Sequence, residues 1–209
     1  MRYGGATLDS SDEHEGQEFV GLAPTEGTSY RGKVFLNCRF DQCSMSGIEF
    51  VSCEFNDCTF TECDLSLAKL TDSVLRSTRI IKSRAVGVDW TQTRWPAKPL
   101  DPPVEFSESL LDYSVFMGLN LRSIVMKDCR AHDVDFSECN LEKSTLDGTD
   151  FARARFSHTI LSDSSLLRAT NYFVELSSCR IDGAMVDIPE GLSLLKAIGV
   201  RVEGWDDPL

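Results

Sequence analysis

The stretch FVSCEFNDCTFTECDL (Phe50–Leu65) places Cys53, Cys58 and Cys63 at intervals of five, with Phe55, Phe60 and Leu65 two positions after each. A period of five matches neither the 3.6 of a helix nor the 2.0 of an ordinary strand. Stepping by five from Phe50 gives Tyr30, Phe35, Phe40 and Met45 on one side. On the other it gives Phe55, Phe60, Leu65, Leu70, Leu75, Ile80, Ala85 and Trp90. The register resumes one residue later at Phe106 and continues to Val186, and Asn171 alone is polar in it.

The column two residues earlier holds small or β-branched side chains with few exceptions, such as Leu119, and contains all eight cysteines: Cys38, Cys43, Cys53, Cys58, Cys63, Cys129, Cys139 and Cys179. Two positions spaced by two on an extended segment share one side of the backbone, so both columns point inward and the other three positions point outward. A free Cys behaves as a small buried hydrophobe. No C-x-x-C pair occurs, which removes the usual zinc signatures. The cysteines read as packing residues.

The chain has 209 residues and is 42% hydrophobic, with no apolar run approaching the length of a membrane span. Its first residues lack the apolar segment of a signal peptide and are acidic where a transit peptide is basic. A cytoplasmic protein with no membrane contact is expected. The net charge of −12 disfavours direct nucleic-acid binding. That charge is concentrated at the two ends and in the second half, while residues 31–105 balance.

The paired columns, with CDLSL (Cys63–Leu67), CNLEK (Cys139–Lys143) and TDFAR (Thr149–Arg153), resemble the pentapeptide repeat family and its A(D/N)LXX consensus. The resemblance implies an all-β fold, a right-handed quadrilateral β-helix with a short C-terminal helix, in which four pentapeptides make one coil. Phe35 then stacks on Phe55, Phe40 on Phe60, and Phe116 on Phe136 and Phe156. Cys38 over Cys58 and Cys43 over Cys63 fall within disulfide range, but a reducing compartment favours thiols.

The expected organisation is an acidic N-terminal arm or cover over residues 1–29, with Phe19 and Leu22 packed on the first coil. Repeats follow over 30–186, interrupted near 91–105, and a C-terminal segment occupies 187–209. Four of the seven prolines (Pro96, Pro99, Pro102 and Pro103) lie in the interruption, where interior strands exclude them. Trp90 to Phe106 is three repeats plus one residue, which requires a bulge or a projecting loop, with Pro96 a candidate cis bond. IPEGLSLLKAIG (Ile188–Gly199) reads as a short helix with Leu192, Leu195 and Ile198 on one face, which either caps the open end of its own chain or pairs with the same element of a second chain, and VRVEGW (Val200–Trp205) reads as a short strand.

Catalytic signals are poor. His14, His132 and His158 sit in the arm or at outward positions, and CRAHD (Cys129–Asp133) splits its Cys inward and its His outward. No phosphate-cradling glycine motif occurs. No catalysis, metal or cofactor is expected. Within the family, VDWTQTRWP (Val88–Pro96), Thr170–Leu195 and Ile188–Gly204 resemble the immunity and resistance proteins against DNA gyrase poisons. These are the albicidin-immunity, microcin-immunity and Qnr-type quinolone-resistance proteins. That resemblance implies a homodimer through Leu192, Leu195, Ile198, Val200 and Val202, and DNA mimicry directed at gyrase, a type IIA topoisomerase. The candidate contacts are a loop at Arg94, Trp95, Pro96 and Lys98 and an acidic strip of Asp128, Asp133, Asp135, Glu138, Glu142, Asp147 and Asp150. The alternative is a repeat scaffold for an unrelated protein partner.

Overall fold

In a computed structural model, which describes residues 8–9, 11–95, 102, 104–188 and 190–201, the chain winds into a four-sided solenoid of short parallel strands. On the third side, strands Glu18–Val20, Arg39–Asp41, Thr59–Thr61, Thr78–Ile81, Val104–Ser107 and Val125–Lys127 pair in succession. Single bridges carry this ladder on through Thr145, Ser165 and Met185. Eight steps of ~4.8 Å make this side roughly 38 Å long. The second side is built likewise on Glu13–Glu15, Val34–Leu36, Glu54–Asn56 and Val74–Arg76. Tyr30 pairs with Phe50 on the first side, and the fourth runs from Ser44 through Asp64 and Arg84 to Thr170.

The large column fills the axis with stacked rings. Phe19, Phe40 and Phe60 lie 4.9 and 4.5 Å apart, Phe35 and Phe55 4.9 Å, and Phe116, Phe136 and Phe156 5.2 and 5.3 Å. The Phe35–Phe55, Phe40–Phe60 and Phe116–Phe136–Phe156 stacks are those that a twenty-residue coil predicts, and Phe19 joins them 21 residues before Phe40.

The small column does more than pack. At many corners the N–H of the small residue and the C=O of the preceding large residue would close a four-residue turn, as Ala68 N does on Leu65 O at 3.0 Å. Elsewhere the side chain below is inserted between them. Ser73 Oγ accepts from Cys53 N at 3.0 Å and donates to Phe50 O at 2.9 Å. Ser83, Ser109 and Thr149 do the same for the coils above them. The thiols of Cys53, Cys58 and Cys63 donate to Tyr30 O, Phe35 O and Phe40 O at 3.4 Å each. All eight cysteines are free. Burial pushes Cys58, Cys129 and Cys139 up to about 12, which keeps those thiols protonated and able to donate. Cys, Ser and Thr therefore interchange in one column because each is small and carries a donor.

The ladder begins at Glu13, ahead of the expected start of the repeats at residue 30, and Phe19 is fully buried against it, as in a cover and not an arm. Two other expectations need correction. His14 is buried too, stacked 5.0 Å from Phe35, where it fills a large-column position one residue out of register. The interruption adds six residues to one coil, not one: Ile80 pairs with Phe106, and the surplus falls between Trp95 and Val104. Most of that segment lies outside the described residues.

Ser73→Ala is expected to orphan a buried N–H and C=O and to cost about 1–3 kcal/mol. Ser73→Cys should recover most of it. Urea denaturation of the two variants checks this, and equal loss in both would remove the donor role.

Candidate functional site

The break in the solenoid is rooted tightly. Asp89 caps a single 3-10 turn, Trp90–Gln92, accepting from Thr91 N at 3.0 Å and from Gln92 Nε2 at 3.1 Å. Trp90 enters the axis, stacked 5.6 Å from Phe116 and edge-on to Phe106. Its carbonyl accepts from Thr93 Oγ1 and from Trp95 Nε1, both within 2.8 Å. Arg94 stays on the ladder through its N–H to Ser73 O, and its Nε donates to Asp72 O at 2.9 Å. Arg94 is exposed and Trp95 half-buried, and with Val74 and Arg76 they line a groove of about 210 Å³. Pro96 and Lys98 lie outside the described residues, as does the geometry of the Trp95–Pro96 bond. A larger cleft of about 570 Å³ opens where the chain returns, between the Asn37, Asp57 and Ser77 corner, Arg79, Pro102 and Glu105.

The seven acids form a band around the solenoid and not a strip along it. Asp135 and Glu138 belong to the first side, Glu142 to the second, Asp128 and Asp147 to the third, and Asp133 and Asp150 to the fourth. Most are already engaged one coil away. Asp133 meets Arg153 at 2.6 Å, Asp135 meets Arg155 at 2.7 Å, and Glu142 meets Arg122. Two coils away, Arg168 reaches Asp128 at 3.1 Å. Asp150 takes His132 Nε2 at 2.7 Å and Asn171 Nδ2 at 2.8 Å, while Asp147 accepts from Ser165 Oγ and Leu167 N. Of the seven, only the Glu138 carboxylate makes no side-chain hydrogen bond or ion pair among the described residues, while its N–H donates to Ser157 O at 2.8 Å.

Partners hold three of these carboxyls down. The Arg153 guanidinium keeps Asp133 below the usual carboxylate range. Burial pushes Asp135 and Asp150 up, but Ser137 with Arg155, and His132 with Asn171, outweigh it and leave both lowered. Asn171, the polar break in the large column, takes a left-handed corner conformation (φ 57°) and leaves the buried position to Tyr172.

At the C-terminus, helix α1 spans Gly191–Ala197. The residue that packs it onto the core is Leu194, which closes a cavity of about 110 Å³ over Tyr172, Ile181 and Val186. The sequence face had passed over it. Leu192 is half-buried, whereas Leu195 (39%), Ile198 (59%) and Val200 (43%) are exposed. Gly191 sits where a Cβ would come within 2.8 Å of Val186. Val202 and the rest of the expected strand lie outside the described residues. No helix among the described residues is long and apolar enough to cross a membrane.

Two family models match the chain: the pentapeptide repeat region over residues 33–116 and pentapeptide repeats (8 copies) over residues 132–166, together more than half its length. No curated protein matched its sequence. Among solved structures, a trypsin-treated form of QnrB1, a plasmid-mediated fluoroquinolone resistance protein, is 20% identical, with a TM-score of 0.58. That match covers 92% of this chain and 99% of that one. Full-length QnrB1 has a TM-score of 0.50 over 90% and 100%, at the same identity. HetL, involved in heterocyst differentiation regulation in the cyanobacterium Nostoc sp. strain PCC 7120, is 17% identical with a TM-score of 0.48, over 83% and 85%. At 20% identity the likeness to QnrB1 is one of fold.

Lowered carboxyls contribute stability that is complete above their unfolded value, near pH ~4, and that is lost as pH falls through the folded values. Melting of the wild type should therefore drop as the pH falls below about 4. Asp135→Asn should melt lower at pH 7 and lose less on acidification. Parallel pH curves for the two proteins would remove this role.

Proposed function

The chain belongs to the pentapeptide repeat family, and from that premise we propose that it is a resistance or immunity protein that binds DNA gyrase, a type IIA topoisomerase, and protects it from a poison of the enzyme–DNA complex. The observation that carries this reading is the rooted break at Asp89–Trp95. The buried Trp90, with three hydrogen bonds onto its carbonyl, fixes the point at Trp95 where the chain leaves the repeat, and an anchored departure of this kind supports a role in partner contact. Repeat geometry alone does not require it. The fold likeness to QnrB1, named as a fluoroquinolone resistance protein, supports the same assignment.

In this reading two copies join through the exposed apolar face of Leu195, Ile198 and Val200, with Leu192 and Val202 alongside, doubling the rod. The loop at Arg94, Trp95, Pro96 and Lys98 contacts the enzyme. The band from Asp128 to Asp150 stands in for phosphates, with basic side chains of the enzyme replacing intrachain arginines. One observation favours a second reading, a scaffold for an unrelated protein. B-DNA carries about twenty charges over ~35 Å, whereas most of the acids in this band are already paired with cations of the same chain.

Supercoiling by gyrase in the presence of a poison should be restored, and cleaved DNA reduced, when the protein is added. No effect with gyrase from the same source and more than one class of poison overturns the proposal in favour of the scaffold. Leu195→Asp should sediment as a monomer; an unchanged mass removes the dimer seam.

A further inference from the structure

The corners of the solenoid are turned by residues with positive φ, a conformation that large side chains adopt at a cost and that Gly, Asn and Asp adopt readily. Among the described residues, twenty-one non-glycine residues take it, and nearly all are polar or charged. The two with a large hydrophobic body are Leu67 (φ 57°) and Tyr113 (φ 60°). They occupy the same corner.

Along the edge between the fourth and first sides, Gly47, Leu67, Gly87, Tyr113, Asp133 and Arg153 succeed one another. Leu67 N bonds to Val86 O, Gly87 N to Asp112 O and Tyr113 N to His132 O. Leu67 is 59% exposed and Tyr113 63% exposed. Met117, at the next corner along the first side, is 50% exposed, and these three are the only large hydrophobic residues exposed among the described residues from 37 to 166. Leu67 Cδ2 lies 2.9 Å from where a Cβ on Gly87 would stand, so the glycine lets it lean over the intervening coil. The result is an apolar ridge two coils long.

The surrounding charges are closed on themselves: Asp64 with Arg84, Asp112 with Arg130, and Asp133 with Arg153. A rim without unpaired cations does not select phosphate, either of a nucleic acid or of a lipid surface. It complements an uncharged apolar protein face. Two coil steps span ~9.6 Å, close to the ~10.5 Å between residues i and i+7 of an α-helix. Nothing in the core uses Leu67 or Tyr113, and both carry a backbone cost, as residues kept for binding do.

We propose that the Leu67–Gly87–Tyr113 ridge is a second contact surface, one that receives the apolar face of a helix of gyrase on the edge diagonally opposite the Trp95 loop. This rests on the gyrase reading and adds to it a site on another side of the rod. A partner that takes the rod in a cleft touches both edges, whereas a partner bound to one side touches only one.

The test replaces both residues by one suited to the corner, Leu67→Asn with Tyr113→Asn, and measures melting and affinity for purified gyrase. The double variant should melt about 2–4 °C higher than the wild type, since a strained conformation is relieved. It should bind gyrase at least about tenfold more weakly. Tyr113→Phe should bind like the wild type. A lower melting temperature would make the two side chains structural and overturn the proposal. Unchanged affinity in the double variant would also overturn it, leaving gyrase binding in place. A wild type that does not bind gyrase at all would instead sink the gyrase reading, and this contact with it.

Discussion

Everything in this molecule depends on how buried main-chain groups at the corners find partners. A four-sided coil turns sharply every five residues, and each turn leaves a donor and an acceptor facing the interior, where an unmatched group is costly. The chain meets this in two ways. Some corners close upon themselves, as at Leu65 and Ala68. Others open enough for a hydroxyl or thiol of the next coil to bridge the gap, as Ser73 does between Cys53 and Phe50. The large column supplies the apolar stabilisation through its stacked rings, and the small column makes the stacking compatible with satisfied backbone.

This division explains where the surface can depart from the repeat. Inward positions are committed to the axis and leave little freedom for chemistry. Outward positions are constrained only at the corner, where φ must be positive, so their side chains vary. Across-coil ion pairs such as Asp133–Arg153 and Asp135–Arg155 occupy much of that surface. Exposed pairs of this kind contribute little each, but they quench the local field and leave a rod less charged toward a partner than its net charge suggests. The departures from the repeat then stand out: the Trp90–Trp95 root, the apolar C-terminal helix and the Leu67–Tyr113 edge.

The period of five, the axial stacks and the inward cysteines were legible in the sequence because each repeats many times and one residue cannot obscure the pattern. The first coil was not, because Phe19 pairs with Phe40 one residue out of step and His14 stands where an apolar residue was sought. The length of the insertion was misjudged because Phe106 happens to fall one residue from the extrapolated register while belonging to a different side. The acids lie at outward positions except Asp135, which is buried, and their pairing was not legible because a partner one coil away is about twenty residues distant in the sequence. Leu194 escaped notice for a related reason: which side of a seven-residue helix meets the core is set by the tail before it and not by helical spacing alone.

The bridging side chains have a direction. Each reaches back from a later coil to an earlier one: Ser73 completes the corner at Phe50, Ser83 the one at Phe60, and Thr149 the one at Met126. During synthesis, a newly emerged coil therefore waits for its successor before its interior is satisfied, and the growing rod carries a single unfinished end that moves toward the C-terminus. Assembly of this kind is vectorial, matched to the order in which the ribosome delivers the chain. The last coil has no successor, and the helix that packs Leu194 over Tyr172 and Val186 is the element that ends the series.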